Sequence, residues 1–287
     1  MDFIFNAIHW NIDQELFKIG SFGIRYYSLC WLLAFALSYV LMLKVFKREN
    51  KTQEDLDKLS IYIFVGILLG ARVGHCLFYE FDEYITKPWM MFLPFQIDAR
   101  GEWHFTGFQG LASHGAVIGT LIALYLYARK TKTDFLWIAD RLVLVVPIAG
   151  AFVRLGNFFN SEIIGKPADP SLPWAVIFEN AGLRPAELNM IPRHPAQLYE
   201  AIGYVILFLI LWSMYQKNKS PKPGLLFGLF FAVLFAIRFF MEFFKENQED
   251  FEADMLFNMG QLLSIPLIII GLYFIFRKPK QHTVVKK

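Results

Sequence analysis

Seven stretches of about twenty largely apolar residues recur along the chain, near 24–46, 59–79, 110–129, 136–159, 197–216, 224–244 and 256–276. Each is long enough to cross a hydrocarbon core as a helix. Composition agrees: of 287 residues, 56% are hydrophobic and 18% charged, with a mean hydropathy of +0.40. That is too apolar for an ordinary soluble domain. The expectation is an all-α polytopic membrane protein of seven transmembrane helices, with residues 1–287 forming one integral membrane domain.

Basic residues predict the orientation. Lys44, Lys47, Arg48, Lys51 and Lys58 follow the first run, Arg129, Lys130 and Lys132 the third, Lys217, Lys219 and Lys222 the fifth, and Arg277, Lys278, Lys280, Lys286 and Lys287 close the chain. The opposite loops are acidic, with Glu80, Asp82, Asp98, Asp169, Glu187 and Asp250 among them. The positive-inside rule then puts the N-terminus outside and the C-terminus in the cytoplasm. Loops near 80–109 and 160–196 exceed simple turns and predict a small extracytoplasmic cap, with short strands at Trp103–Thr106 and Trp174–Phe178. Residues 3–10 read as an interfacial amphipathic helix. Met1 to Gly20 lacks a basic leader and carries acidic residues, which argues against a cleavable signal peptide. Cys30 and Cys76 both lie within apolar runs, which argues against a structural disulfide or metal site.

One polar run stands out at the end of the fourth span: Arg154-Leu-Gly-Asn157-Phe-Phe-Asn160-Ser-Glu162-Ile-Ile-Gly165. Charged and amide groups at membrane depth are costly and mark a substrate or ion path. On one continuous helix Arg154, Asn157 and Ser161 share a face while Glu162 points away. The helix is therefore expected to end near Asn160, with the chain turning to bring Glu162 and Gly165 back to the same cleft. Elsewhere, Gly66, Gly70 and Gly74 recur every four residues, a spacing that lets a second helix approach closely. Arg72, beside them, has two readings, an interhelical anchor or a ligand-facing cation. His114, between Ser113 and Gly115, is the natural candidate for a general base. His194, Gln197 and Glu200 open the fifth span, either as anchors and caps or as the rim of a site. Arg238 and Glu242 share a face of the sixth, and Asn258, Gln261 and Ser264 read as contacts between helices.

In the predicted topology Tyr27, His114, Arg154, Asn157, Arg238 and Glu242 all reach the outer side of the membrane. Two guanidiniums suit a phosphate, which they bind through forked hydrogen bonds without losing charge. The expected ligand is an anionic phospholipid headgroup. The chain has no Gly-x-Ser-x-Gly elbow, Walker loop, His-Glu-x-x-His or apparent nucleophilic Cys. Any chemistry would use the substrates' own nucleophile and leaving group, positioned and electrostatically stabilised by the protein.

These residues resemble one family, the bacterial prolipoprotein diacylglyceryl transferases. The resemblance rests on Arg154-Leu-Gly-Asn157-Phe-x-Asn160-x-Glu162-x-x-Gly165, with Gln109-Gly-Leu-x-x-His114-Gly115, His194-Pro-x-Gln-Leu-Tyr-Glu200, Arg238-Phe-x-x-Glu242-Phe and Met259-Gly-Gln-x-Leu-Ser. It implies seven spans with a small periplasmic head in the bacterial inner membrane, and an active site near the outer leaflet. It further implies transfer of the diacylglyceryl group of phosphatidylglycerol to the lipobox cysteine of a preprolipoprotein signal peptide, leaving a thioether and glycerol-1-phosphate. In that reading Arg154 and Arg238 hold the phosphate and His114 takes the thiol proton. Tyr27, Asn157 and Glu162 orient headgroup or arginine, Gly165 permits the turn, and Arg72, His194 and Glu242 complete the binding residues. No cofactor, metal or nucleic acid is expected, and the protein is expected to be a monomer. Two positions depart from the family pattern: Leu234 stands where a Tyr is usual, and Ala112-Ser113 precedes His114 in place of a second glycine. A transporter for organic anions and a metal-dependent headgroup transferase are the alternatives. Polar residues gathered on one side of the membrane and the lack of a clustered Asp motif argue against them.

Overall fold

The computed structural model describes residues 7–20, 22–93, 95–97, 101–105, 110–217, 222–246 and 255–278. Its long helices are α1 (Tyr26–Arg48), α2 (Gln53–Phe78), α4 (Ser113–Thr131), α7 (Ala196–Lys217), α8 (Leu225–Met241) and α9 (Met259–Phe276). Shorter ones are α3 (Phe81–Thr86), α5 (Phe135–Leu142) and α6 (Val146–Phe159). Among the described residues 5 helices are long and apolar enough to cross a membrane, and the bent pair of α5 and α6 would make a sixth. Helix α4 occupies the third expected run but is not in that set. Its sequence is small and polar where the others are rich in Leu and Phe, with Ser113, His114 and Thr120 within it and Arg129 and Lys130 in its last turn. The fourth expected run is not one straight helix. It breaks at residues 143–145 with a 42° bend. Pro147, in the first turn of α6, explains the break, because it has no N–H with which to continue a helical ladder.

Strands join these helices, so the molecule is not purely helical: β1 (Ile8–Trp10), β2 (Glu15–Ile19), β3 (Phe22–Arg25), β4 (Phe95–Ile97), β5 (Trp103–Phe105) and β6 (Val176–Phe178). The expected strands near Trp103 and Trp174 are present as β5 and β6. The expected interfacial helix is corrected where it can be seen: Ile8–Trp10 is extended and pairs in parallel with Val176–Phe178. Residues 3–6 of that expectation, Gln109 and Thr106 lie outside the described residues. Parallel pairing satisfies the β1 backbone, and Trp10 packs on the Phe158, Ile164 and Phe178 cluster.

The chain divides into two compact units. In the unit formed by Leu43–Ala139, α2 and α4 meet along glycine. A Cβ on Gly66 would lie 2.6 Å from the Gly119 carbonyl oxygen, and one on Gly74 would lie 2.6 Å from the Gly115 Cα. The backbones thus approach too closely for any side chain, as the four-residue glycine spacing predicts. A Thr52–Asp55 capping box starts α2. In the unit formed by Met1–Met42 and Asp140–Lys287, helices α6, α7, α8 and α9 pack in sequence order. Gly228 and Gly271 bring α8 against α9. The fully buried Asp140 carboxylate accepts from the backbone N–H groups of Gly224 (2.7 Å) and Phe227 (2.8 Å), tying the start of α8 to α5.

Candidate functional site

Helix α6 stops partway through the polar run, at Phe159. Asn160 caps it, and Ser161 and Ile163 both take left-handed backbone with φ of 56°. That region costs a β-branched residue about 1–3 kcal/mol, so neighbouring contacts must impose it. They are visible. Glu162, the residue between, accepts from the side-chain amides of Asn157 (3.1 Å) and Asn160 (3.1 Å). Its carbonyl takes the Gln197 side-chain N–H at 2.6 Å. Three residues on, Gly165 donates to the His194 carbonyl (3.1 Å) and forms an antiparallel bridge with Lys245. A Cβ on Gly165 would lie 2.8 Å from the Phe244 carbonyl oxygen, so only glycine fits.

Arg154 projects from the last turns of α6 into a chain of buried charges. Its guanidinium donates to Asn157 Oδ1 (3.1 Å), meets the Tyr204 hydroxyl and pairs through Nε with Glu200 of α7. Glu200 is fully buried, and its other oxygen lies 2.6 Å from Lys245 Nζ. Lys245, 2% exposed, also donates to Glu242 Oε1 at 2.9 Å. Glu242 in turn accepts from Asn258 Nδ2 (3.1 Å), whose capping box with Gln261 begins α9. One alternating row of charges thereby joins α6, α7 and the end of α8, and the neutral Asn258 amide ties α9 to its last member.

Arg238 differs. It is half-buried on α8, and among the described residues it forms no ion pair or hydrogen bond, though its charge is felt at Tyr204. The cluster holds three cations (Arg154, Lys245, Arg238) and two carboxylates (Glu200, Glu242), which leaves one positive charge in excess. Glu162 lies apart at an exposed position, held by the amides. Tyr27 packs over Gly156, where a Cβ would lie 2.8 Å from its ring, and its phenol is half-buried beside the same helix. Leu234 packs on Ala151, Ala201 and Tyr204, so the hydroxyl nearest Arg154 comes from α7. His194, next in the chain to the buried Arg193, shares a hydrogen bond with Tyr199 (3.1 Å), which also accepts from Trp174 Nε1 (2.9 Å).

Tyr27, Arg154, Asn157, Glu162, Gly165, His194, Arg238 and Glu242 thus belong to one unit. Arg72 and His114 belong to the other. There Arg72 is buried, with its guanidinium on the Tyr84 hydroxyl (2.7 Å) and the Met91 carbonyl (3.1 Å), and these bonds hold segment 81–92 to α2. Burial pushes the Tyr84 phenol above its ordinary pKa, and the Arg72 charge opposes this. His114 is exposed in the first turn of α4. A cavity of about 680 Å³ flanks the α2–α4 seam, lined mainly by apolar side chains such as Leu69, Leu77, Phe78, Ile118 and Leu126, with Tyr62 among them. Sequence reasoning missed Lys245 and Tyr204 and left Glu200 as a possible rim. The signal for Lys245 was present as Glu242-Phe-Phe-Lys245, an acid–base pair at i,i+3.

The chain matches the family model for prolipoprotein diacylglyceryl transferase over residues 14–277. It is 46% identical over 280 residues to a phosphatidylglycerol–prolipoprotein diacylglyceryl transferase of Bacteroides fragilis, covering 97% of this chain and 98% of that one. Enzymes of the same name from Tolumonas auensis (40% over 275 residues, 96% and 98% covered) and Chloroherpeton thalassium (40% over 281 residues, 97% and 97% covered) are similarly related.

Proposed function

As a member of the prolipoprotein diacylglyceryl transferase family the chain is a multi-pass membrane transferase acting on phosphatidylglycerol and prolipoprotein, and we propose the reaction in detail. The lipobox thiolate attacks the glyceryl carbon that bears the phosphate. A C–S thioether forms, the C–O bond breaks, and glycerol-1-phosphate leaves with the electron pair. The thiol proton passes to a base, for which His114 is proposed on its motif.

The observation that carries this reading is the guanidinium of Arg238, without an ion pair or hydrogen bond among the described residues, beside an otherwise paired row of charges. A phosphodiester carries one negative charge, which matches the one positive charge in excess. As the C–O bond breaks the phosphate gains a second charge, and preorganised Arg154 and Arg238 stabilise it more than they stabilise the substrate. Tyr27 and Asn157 orient the headgroup or Arg154, and Glu162 fixes Asn157. Gly165 and His194 shape the turn beside the cluster, Glu242 acts from within the charge row, and Arg72 acts by anchoring segment 81–92. We place this site near the outer leaflet of the bacterial inner membrane, in a monomer of seven spans with the N-terminus outside. Segments 80–109 and 160–196 form its cap, and the lipobox signal peptide enters from the membrane.

The test is direct. Purified protein in detergent, given phosphatidylglycerol and a synthetic lipobox peptide, should yield a diacylglyceryl adduct on Cys and free glycerol phosphate by mass spectrometry. If folded protein made neither product, the transfer reading would fail and anion transport would become the better account.

A further inference from the structure

Lys245 sits where the chain emerges from α8, followed by the Arg193–Glu246 ion pair and flanked by exposed Phe243 and Phe244. Yet its ammonium points inward, 2% exposed, and is shared by two buried carboxylates from different elements. Its backbone is fixed as well: Lys245 bridges Gly165, and the neighbouring Phe244 carbonyl accepts from Lys166 N–H at 2.8 Å. A lysine seldom loses its hydration without a strong reason, because burying an ammonium costs several kcal/mol. Here the return is electrostatic. Without Lys245, the two carboxylates of Glu200 and Glu242 would be matched one for one by the guanidiniums of Arg154 and Arg238, and Glu200 would lose the cation on its other oxygen. Glu200 would be pulled toward other donors, and the row would lose its excess positive charge.

We propose that Lys245 is a positioning residue for the transfer reaction, holding Glu200 on Arg154 Nε so that the remaining guanidinium N–H groups stay aimed at the phosphate. This rests on the transferase reading above. The charged and titratable groups around it are Glu200 and Tyr204 of α7, Arg154 of α6, Arg238 and Glu242 at the end of α8, and the Arg193–Glu246 pair. Asn258 of α9 completes the shell.

The experiment measures kcat and KM for phosphatidylglycerol with full-length protein, together with thermal stability. Lys245→Met should lower kcat/KM by about 30-fold or more, with KM for the anionic lipid rising, as expected when one partner of a buried charge set is removed. Lys245→Arg should stay within about 5-fold of wild type, since the charge is kept. Lys245→Met combined with Glu242→Gln restores charge balance and should recover at least about 5-fold of the loss, a coupling between contacting groups that a purely space-filling lysine would not show. Lys245→Met with unchanged kinetics would overturn the proposal, as would a double variant no better than the single. If Lys245→Met fails to fold, Lys245→Arg decides: a folded protein with a loss beyond about 10-fold would exclude the role of charge. Wild-type protein without turnover would instead overturn the transferase reading itself.

Discussion

Arg154 and Arg238 carry the same formal charge, yet their surroundings predict different consequences when each is removed. Arg154→Ala strips Asn157 and the buried Glu200 of a partner, and breaking a buried pair in this way costs about 3–5 kcal/mol. Arg238→Ala removes a side chain that forms no ion pair or hydrogen bond among the described residues. Both variants should lose transfer activity by about 100-fold or more if both guanidiniums act on the departing phosphate. Only Arg154→Ala should also lower the melting temperature. Kinetics and thermal unfolding of the purified variants check this, and equal destabilisation would mean that Arg238 has a structural partner. The arginines, Asn157 and Glu162 were legible in the sequence because a guanidinium or carboxylate beside lipid demands an explanation. Lys245 was not, because a lysine just beyond a span is also what a solvated loop would contain. Its inward course depends on a bridge to Gly165, which lies far away in sequence.

Element boundaries show the same division between local and distant causes. Gly66, Gly70 and Gly74 announced a close helix contact in sequence, and α4 answers with Gly115 and Gly119. Gly115→Leu should therefore separate α2 from α4 and cost at least about 1–3 kcal/mol, the range for forcing bulk into a filled seam. Unfolding in detergent would measure it, and a neutral result would mean that the seam opens easily. Asp140 gives a second prediction. Its two carboxylate oxygens receive the Gly224 and Phe227 N–H groups at the start of α8, so Asp140→Ala should cost about 1–2 kcal/mol, and Asp140→Asn should also destabilise, since its single amide oxygen can accept from only one of the two. The sequence did not reveal this cap, because the cap is 84 residues distant from the helix it serves. Nor did it reveal the strand at Ile8–Trp10. The alternation of apolar and polar side chains there suits an interfacial helix equally well, and pairing with Val176–Phe178 decided between them.

For the molecule as a whole, membrane residence followed from hydrophobic runs that water cannot accommodate, and the structure keeps large apolar side chains such as Ile61, Leu209 and Ile269 on the outside of its helices. Orientation is a property of charge distribution and membrane potential, which no internal contact records, so it needs its own test. From the basic and acidic loops the positive-inside rule predicts Lys130 in the cytoplasm and Asp169 outside. Both positions are exposed, whereas the native Cys30 and Cys76 are buried free thiols that should react slowly. In spheroplasts, Asp169→Cys should be labelled by a membrane-impermeant maleimide, and Lys130→Cys only after the membrane is opened. The opposite pattern would put Glu162, and the row of charges running from Arg154 to Glu242, on the cytoplasmic side. A transferase so oriented would meet its peptide before export, so this labelling experiment tests the predicted order of export and lipid attachment as well as the topology.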